Sequence, residues 1–214
     1  MRSSAAASNP HLPLRVLIAG GGVAGLETLL ALSDLAGRRV AVTLLAPEPE
    51  FVVRAMTVGE PFDRAQGRHL VLADVAREHE AELVVGRLAA VDPVARVVTT
   101  GTGAHVPFDV LVVAAGAVAT EPLPGALTFR GRSDVGDMRD LLDGLLTGQV
   151  RSVVFTLART LTWSLPLYEL ALMTSGYLIG REIADRLLTV VTPAPEPLDM
   201  FGPVGSEAMR GLLA

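Results

Sequence analysis

The chain of 214 residues contains no cysteine. That removes disulfides, thiolate nucleophiles and cysteine metal sites, and it leaves the redox compartment unconstrained. All 18 basic residues are arginine, so there is no lysine for a Schiff base or a phosphate-binding P-loop. Aromatic residues make up 4% and charged residues 19% of the chain, and the net charge is -5. An acidic balance of this kind argues against a nucleic-acid surface, which needs clustered cations. His11, His69, His79 and His105 are scattered without metal-ligand spacing, and no Ser-His-Asp arrangement is indicated.

Half of the residues are hydrophobic, which is a globular composition with room for one large domain or one and a half small ones. Residues 1–13 are small, polar and proline-containing. They lack the apolar core of a signal peptide and read as a flexible tail. Mean hydropathy is high, at +0.45. The best candidate for a membrane span, Leu161–Gly180, carries Pro166 and Glu169 and reads as a buried helix instead. These features suggest a cytoplasmic protein, with at most a peripheral contact on the inner face of the membrane.

The positive signals begin at Val16–Ala19, an apolar strand that stops at Gly20. Gly22 and Gly25 follow at the G-x-G-x-x-G spacing, and Leu26–Ala36 reads as a helix. Gly20 permits the turn, Gly22 lets a pyrophosphate approach the backbone, and Gly25 lets helix and strand pack closely. The free N–H groups at Val23 and Ala24 then face the phosphates at the positive end of the helix dipole. Val40–Leu45 is a second strand, apolar throughout, which completes a βαβ unit. Ala46–Gly67 has three prolines and little periodicity and reads as a long ordered loop. Leu70–His79 reads as a helix.

Period-two strands then appear at Glu82–Val85, Leu88–Val91 and Arg96–Thr100. Asp92-Pro93 and Gly101–Gly103 mark turns between them, so this region reads as a β-meander. Asp109–Ala114 is another buried strand, ending at Ala115-Gly116. Ser133–Leu146 reads as a helix capped by Ser133, with Gly148 beyond its end. A second βαβ unit follows, with strands Ser152–Leu157 and Leu187–Thr192 around a helix at Leu165–Tyr177. A helix starts at Ser206–Leu212. Trp163 and Tyr168 are expected in the core.

The fold class is therefore α/β: a Rossmann-like parallel sheet with a β-meander, then a partial second βαβ unit. This order resembles the pyridine nucleotide-disulfide oxidoreductase superfamily, most of all its sulfide:quinone and type II NADH:quinone oxidoreductase branch. The residues that carry the resemblance are Gly20–Gly25, Leu45–Glu48, Asp109–Ala117 and Trp163–Ala171. It implies an FAD-binding domain over 14–130 and a partial NAD-type domain over 131–214. Gly20, Gly22 and Gly25 would hold the FAD pyrophosphate, with Val23 and Ala24 supplying helix N–H groups. The family's ribose-binding acid falls near Ala46. Glu48 is the nearest candidate, as ribose ligand or as an exposed loop carboxylate. Backbone groups at Leu88 or Ala89 would meet the adenine, and Ala115 and Gly116 would turn beside the FAD. Arg54 would approach the flavin or its phosphates, or be merely solvated.

Two departures from the family pattern bear on function. The segment Thr156–Trp163, where a second glycine fingerprint is expected, contains no glycine, so nothing there supports NAD(P)H binding in the usual mode. The returning strands and interface domain of the family do not fit after Thr192, so the chain reads as shortened at its C-terminus. Apolar edges would then be exposed, and self-association is expected. The absence of cysteine removes the thiol chemistry of the family's disulfide reductases and sulfide oxidases. What remains is hydride transfer from NAD(P)H through the flavin to a quinone or another small acceptor, with no catalytic side chain required of the protein. A non-catalytic nucleotide-binding module and an NAD(P)-dependent dehydrogenase using the first site are the alternatives.

Overall fold

The computed structural model describes residues 12–64, 69–117, 121, 123–157 and 163–213. The chain divides into two compact units. The first comprises Met1–Val52 and His69–Val118, and the second comprises Val53–Arg68 and Ala119–Ala214.

The first unit is built on β1 (Leu14–Ala19), α1 (Val23–Leu35) and β2 (Val40–Ala46). A hairpin of β3 (Glu50–Val52) and β4 (His69–Val71) is antiparallel, and β4 runs straight into α2 (Leu72–Glu78). Next come β5 (Glu82–Val85), β6 (Leu88–Asp92), β7 (Val97–Thr100), β8 (His105–Pro107) and β9 (Val110–Val113). The main sheet has the order β5-β2-β1-β9, with every neighbouring pair parallel. Leu17, Ile18, Leu44 and Leu45 are fully buried on its central strands. Each such side chain stabilises the fold by about 1.5–3 kcal/mol. Alternate residues serve two cores. Ile18, Leu44 and Val42 pack with Leu26 and Leu29 of α1, whereas Leu17 and Leu45 pack with Val98 and Phe108.

This corrects two expectations. The period-two segment Glu82–Val85 is not part of the meander but the fourth strand of the parallel sheet, paired with Thr43–Ala46. Four residues are too few for alternation to separate the two settings. The meander is β6-β7-β8. The segment 46–67 is not simply a loop: it contains β3 and a 3-10 helix at Arg54–Phe62. That helix buries Thr57, Val58, Gly59, Pro61 and Phe62 within the second unit, and the Thr57 hydroxyl donates to the Arg54 carbonyl at 2.7 Å. A 3-10 helix with an internal proline follows neither period sought in the sequence.

In the second unit, α3 (Val135–Thr147), β10 (Ser152–Thr156), α4 (Leu165–Ile179), β11 (Leu187–Val191) and α5 (Gly202–Leu213) follow in order. Strands β10 and β11 are parallel. Gly148 closes α3 in the left-handed conformation that glycine accepts most readily (φ 82°). Ser133 does not cap α3. Asp134 occupies the N-cap, and its carboxylate accepts the Arg130 backbone N–H at 2.6 Å instead of a helix N–H. Tyr168 is buried, as expected, and its hydroxyl has no hydrogen-bond partner among the described residues. Trp163 is 55% exposed, edge-on to Phe201 with ring centroids 5.8 Å apart, so it is not a core residue. Among the described residues no helix is long and apolar enough to cross a membrane.

The first unit also carries an electrostatic clamp. At the start of β1, Arg15 donates to the Asp109 carboxylate through its backbone N–H (2.9 Å), Nε (3.1 Å) and guanidinium NH2 (2.8 Å). These hydrogen bonds hold the Asp109 carboxyl down at about 2. A depressed carboxyl stabilises the fold above its unfolded value and loses that contribution as pH falls through the folded value. Denaturation followed against pH should therefore show stability falling between about pH 4 and pH 2. Asp109→Asn should be less stable at neutral pH and flatter over that window; identical curves for the two proteins would remove the clamp from the account.

Candidate functional site

The site lies where the parallel strands end. Ala19 is level with Leu45 on one side and Val113 on the other. The Gly20 N–H donates to the Leu45 carbonyl at 2.8 Å, and the Ala114 N–H donates to the Ala19 carbonyl at 2.8 Å. The chain beyond β1 is thus held between the extensions of β2 and β9 as it turns into α1. This is the crevice at the carboxyl ends of the strands, where open α/β sheets receive ligands.

The glycines there have different tasks. Gly20 has φ 135°, and a Cβ on it would lie 2.0 Å from the Ala114 carbonyl oxygen. A Cβ on Gly25 would lie 1.8 Å from the Gly20 carbonyl oxygen. Backbone meets backbone at both points, and no larger residue fits without displacing it. Gly22 differs: nothing lies within 4 Å of its would-be Cβ, and it is the N-cap of α1 with no side-chain cap bond. The first N–H groups of α1, including those of the exposed Val23 and Ala24, have no intrahelical partners. The first turn carries no acidic side chain to occupy them. Open space in front of uncapped N–H groups is an anion-binding arrangement.

The other expected residues Glu48, Leu88, Ala89, Ala115 and Gly116 belong to the same unit as this crevice. Glu48 is exposed between Pro47 and Pro49, directly after β2. Ala115 and Gly116 are exposed just beyond β9, and Gly116 has φ 70°. Leu88 is half-buried on β6, against the core beneath the meander. Ala89 is exposed, and the β6–β7 register shifts between Leu88 and Ala90, which leaves Ala89 as the extra residue of a bulge. Arg54 belongs to the second unit, where it is exposed at the start of the 3-10 helix.

Two residues were missed in the sequence. Gly21 sits inside the glycine run, but its requirement is for space. A Cβ there would lie 2.6 Å from Leu72 Cδ1 and 2.7 Å from the Ala46 Cβ. Only the tertiary contact reveals that. In the second unit Glu169 is the one charged side chain of the fifteen-residue α4, and burial pushes its carboxyl up. A lone acid in an apolar helix was the available signal. Among the described residues no cluster of His, Asp and Glu could hold a metal ion. Residues 158–162, most of the glycine-free segment between β10 and α4, lie outside the described residues, as does most of the expected tail.

The family model for pyridine nucleotide-disulphide oxidoreductases matches residues 14–155. The chain belongs to this family. No curated protein matches the sequence. Among solved structures, this oxidoreductase-family chain is similar to the sulfide:quinone oxidoreductase of the hyperthermophilic bacterium Aquifex aeolicus. The TM-score is 0.81 at 22% identity, over 94% of this chain and 48% of that one. NDH2 from Plasmodium falciparum, solved in complex with NADH, gives a TM-score of 0.71 at 14% identity, over 94% and 46% of the two chains. A ferredoxin reductase from Rhodopseudomonas palustris gives 0.65 at 19%, over 92% and 48%. At these identities the likeness is one of fold. The chain spans about half the length of these structures.

The glycine geometry separates the glycines that the packing requires from the one that it does not. Gly25→Ala should lower stability by about 3 kcal/mol or prevent folding, because its Cβ meets a carbonyl oxygen. Gly22→Val should leave the thermal midpoint nearly unchanged, since its side chain enters open space. Thermal denaturation of the two variants is the measurement, and equal losses would count against the division of roles.

Proposed function

We propose that this chain binds FAD across the carboxyl ends of β1, β2 and β9 and is the redox core of an oxidoreductase that passes electrons to a quinone or another small acceptor. The observation that carries the reading is the open space in front of Gly22, at the uncapped N-terminus of α1. Gly20, Gly22 and Gly25 with the Val23 and Ala24 N–H groups would hold the pyrophosphate. Glu48 would accept hydrogen bonds from the adenosine ribose. The adenine would sit beside β6, near Leu88 and Ala89, where the β6–β7 register shifts. Ala115 and Gly116 would pass beside the flavin half. The residues present fit the group, because the cradle is backbone and would be filled by any Cβ at Gly22.

When bound, FAD would supply the redox chemistry, hydride acceptance and onward transfer of two electrons. The protein's part is to bind and orient it. With no cysteine in the chain, dithiol relay is not available. The second unit keeps the strand–helix–strand frame of an NAD-type domain, and its glycine-free segment argues for a donor site of unusual form or none. That absence favours a second reading, a nucleotide-binding module without turnover. A dehydrogenase using the first site for NAD(P) is disfavoured by the β6-β7-β8 meander, which such enzymes do not need.

The second unit also supports self-association. Its helices pack against one face of β10 and β11, through Val153, Phe155, Leu188 and Val190. The other face of the strands presents Val154 (61% exposed), Leu187 (65%) and Val191 (50%), alternating with Ser152, Thr156 and Thr189. Parallel strands are ordinarily covered on both faces. None of these six side chains is charged, so a second copy of an acidic chain could cover them without burying a charge. Sedimentation at micromolar concentration should show dimers or larger species, and a clean monomer would contradict this.

The cofactor assignment is tested by absorbance of the purified chain after FAD is added and the excess removed. A retained flavin spectrum that NADH bleaches supports the oxidoreductase reading. A retained spectrum unchanged by NADH supports the binding module. A colourless protein overturns both.

A further inference from the structure

The glycine turn is not held by glycines alone. Leu72, the first residue of α2, is 1% exposed, and its side chain fills the space beneath Gly21. The same point is closed on its other side by the Ala46 side chain at the end of β2. The Leu72 backbone meanwhile holds a different segment. Its N–H donates to the Pro49 carbonyl at 2.9 Å, one residue beyond the Glu50–Val71 pair that opens the β3–β4 ladder. Glu48 stands between these anchors, with Ala46 fixed by the Gly86 N–H at 2.8 Å on one side and Pro49 fixed by Leu72 on the other. One residue therefore touches the turn with its side chain and ties the following loop with its main chain.

We propose that Leu72 is a positioning residue of the nucleotide site, keeping the Gly20–Gly22 turn and the Pro47–Pro49 loop in fixed relation. The inference rests on reading that turn as the FAD pyrophosphate site and Glu48 as the ribose acceptor. The two segments address adjoining parts of one ligand, the pyrophosphate and the ribose. Affinity then depends on their spacing being set before the ligand arrives. Gly21 has no side chain because Leu72 uses its room. Removing the Leu72 methyl groups leaves a gap that the turn can sink into, and N–H groups of the turn then move away from the phosphates.

The test compares Leu72→Ala with Leu29→Ala in the full chain. Leu29 is 0% exposed in the same hydrophobic cluster, two turns along α1 from Gly22, and serves as the control for lost packing alone. Both variants should melt earlier. Only Leu72→Ala should weaken FAD, by about tenfold, at a temperature where both are folded. Equal affinity in the two variants would overturn the proposal. If Leu72→Ala does not fold, Leu72→Met keeps the volume without the branch and should lose part of the affinity; wild-type affinity there would also overturn it. Amide exchange needs no cofactor: it should quicken at Gly21–Val23 and at Glu48 in the Leu72 variant and not in the Leu29 variant. Wild-type protein that fails to hold FAD would sink the cofactor reading, while unchanged exchange would sink the role of Leu72.

Discussion

At the centre of the first unit a helix meets the end of a strand with no side chain between them. The Gly20 carbonyl oxygen occupies the space a Gly25 Cβ would need, and the Ala114 carbonyl oxygen occupies the space of a Gly20 Cβ. Overlaps of that size are resolved only by moving backbone, and that backbone belongs to β1, β9 and α1 at once. Because the contact is so close, the first turn of α1 is delivered to the ends of the strands with its N–H groups facing outward. The placement of the helix start and the stability of the unit thus come from one constraint. The site need not be assembled by flexible side chains, which fits a role in which the protein binds and orients a group that carries its own chemistry.

The second unit repeats the frame without that constraint. It has parallel strands, a connecting helix and a well-formed core of Met138, Leu142, Leu145, Phe155 and Leu170. It has no glycine between β10 and α4, and among the described residues its helices pack on the face of the strands that carries Val153, Phe155, Leu188 and Val190. The first unit has an open, uncapped helix start at the ends of its strands, and the second exposes Val154, Leu187 and Val191 on β10 and β11. The family match runs from β1 into β10, so it includes all of the first unit's strands and the start of the second unit's.

The interlocking of β3, β4 and α2 around the Pro47–Pro49 loop shows how a site extends beyond its motif. Glu48 is placed by neighbours on both sides, and the decisive neighbour, Leu72, is twenty-four residues away in sequence. Nothing about a leucine at the start of a short helix announces such a role. In the same way the bulge at Ala89 arises from a mismatch of two against one between β6 and β7, which neither strand shows by itself.

The sequence by itself determined the fold class, the first βαβ unit and the glycine turn, because these are written in local patterns: an apolar run, a fixed glycine spacing, a helix, a second apolar run. It placed β1, β2, β9, β10 and β11 within a residue or two of their observed ends. Tertiary structure alone decided which sheet a short strand joins, as with Glu82–Val85, since four residues carry too little periodicity to choose. It decided that Arg54–Phe62 is a packed 3-10 helix of the second unit, because a turn of that kind has no period to read. It exposed Trp163 and buried Tyr168, residues of one composition class whose burial depends on what lies across from them. And it gave Gly21 its reason, since a glycine kept for space can be recognised only when the side chain that fills the space is seen.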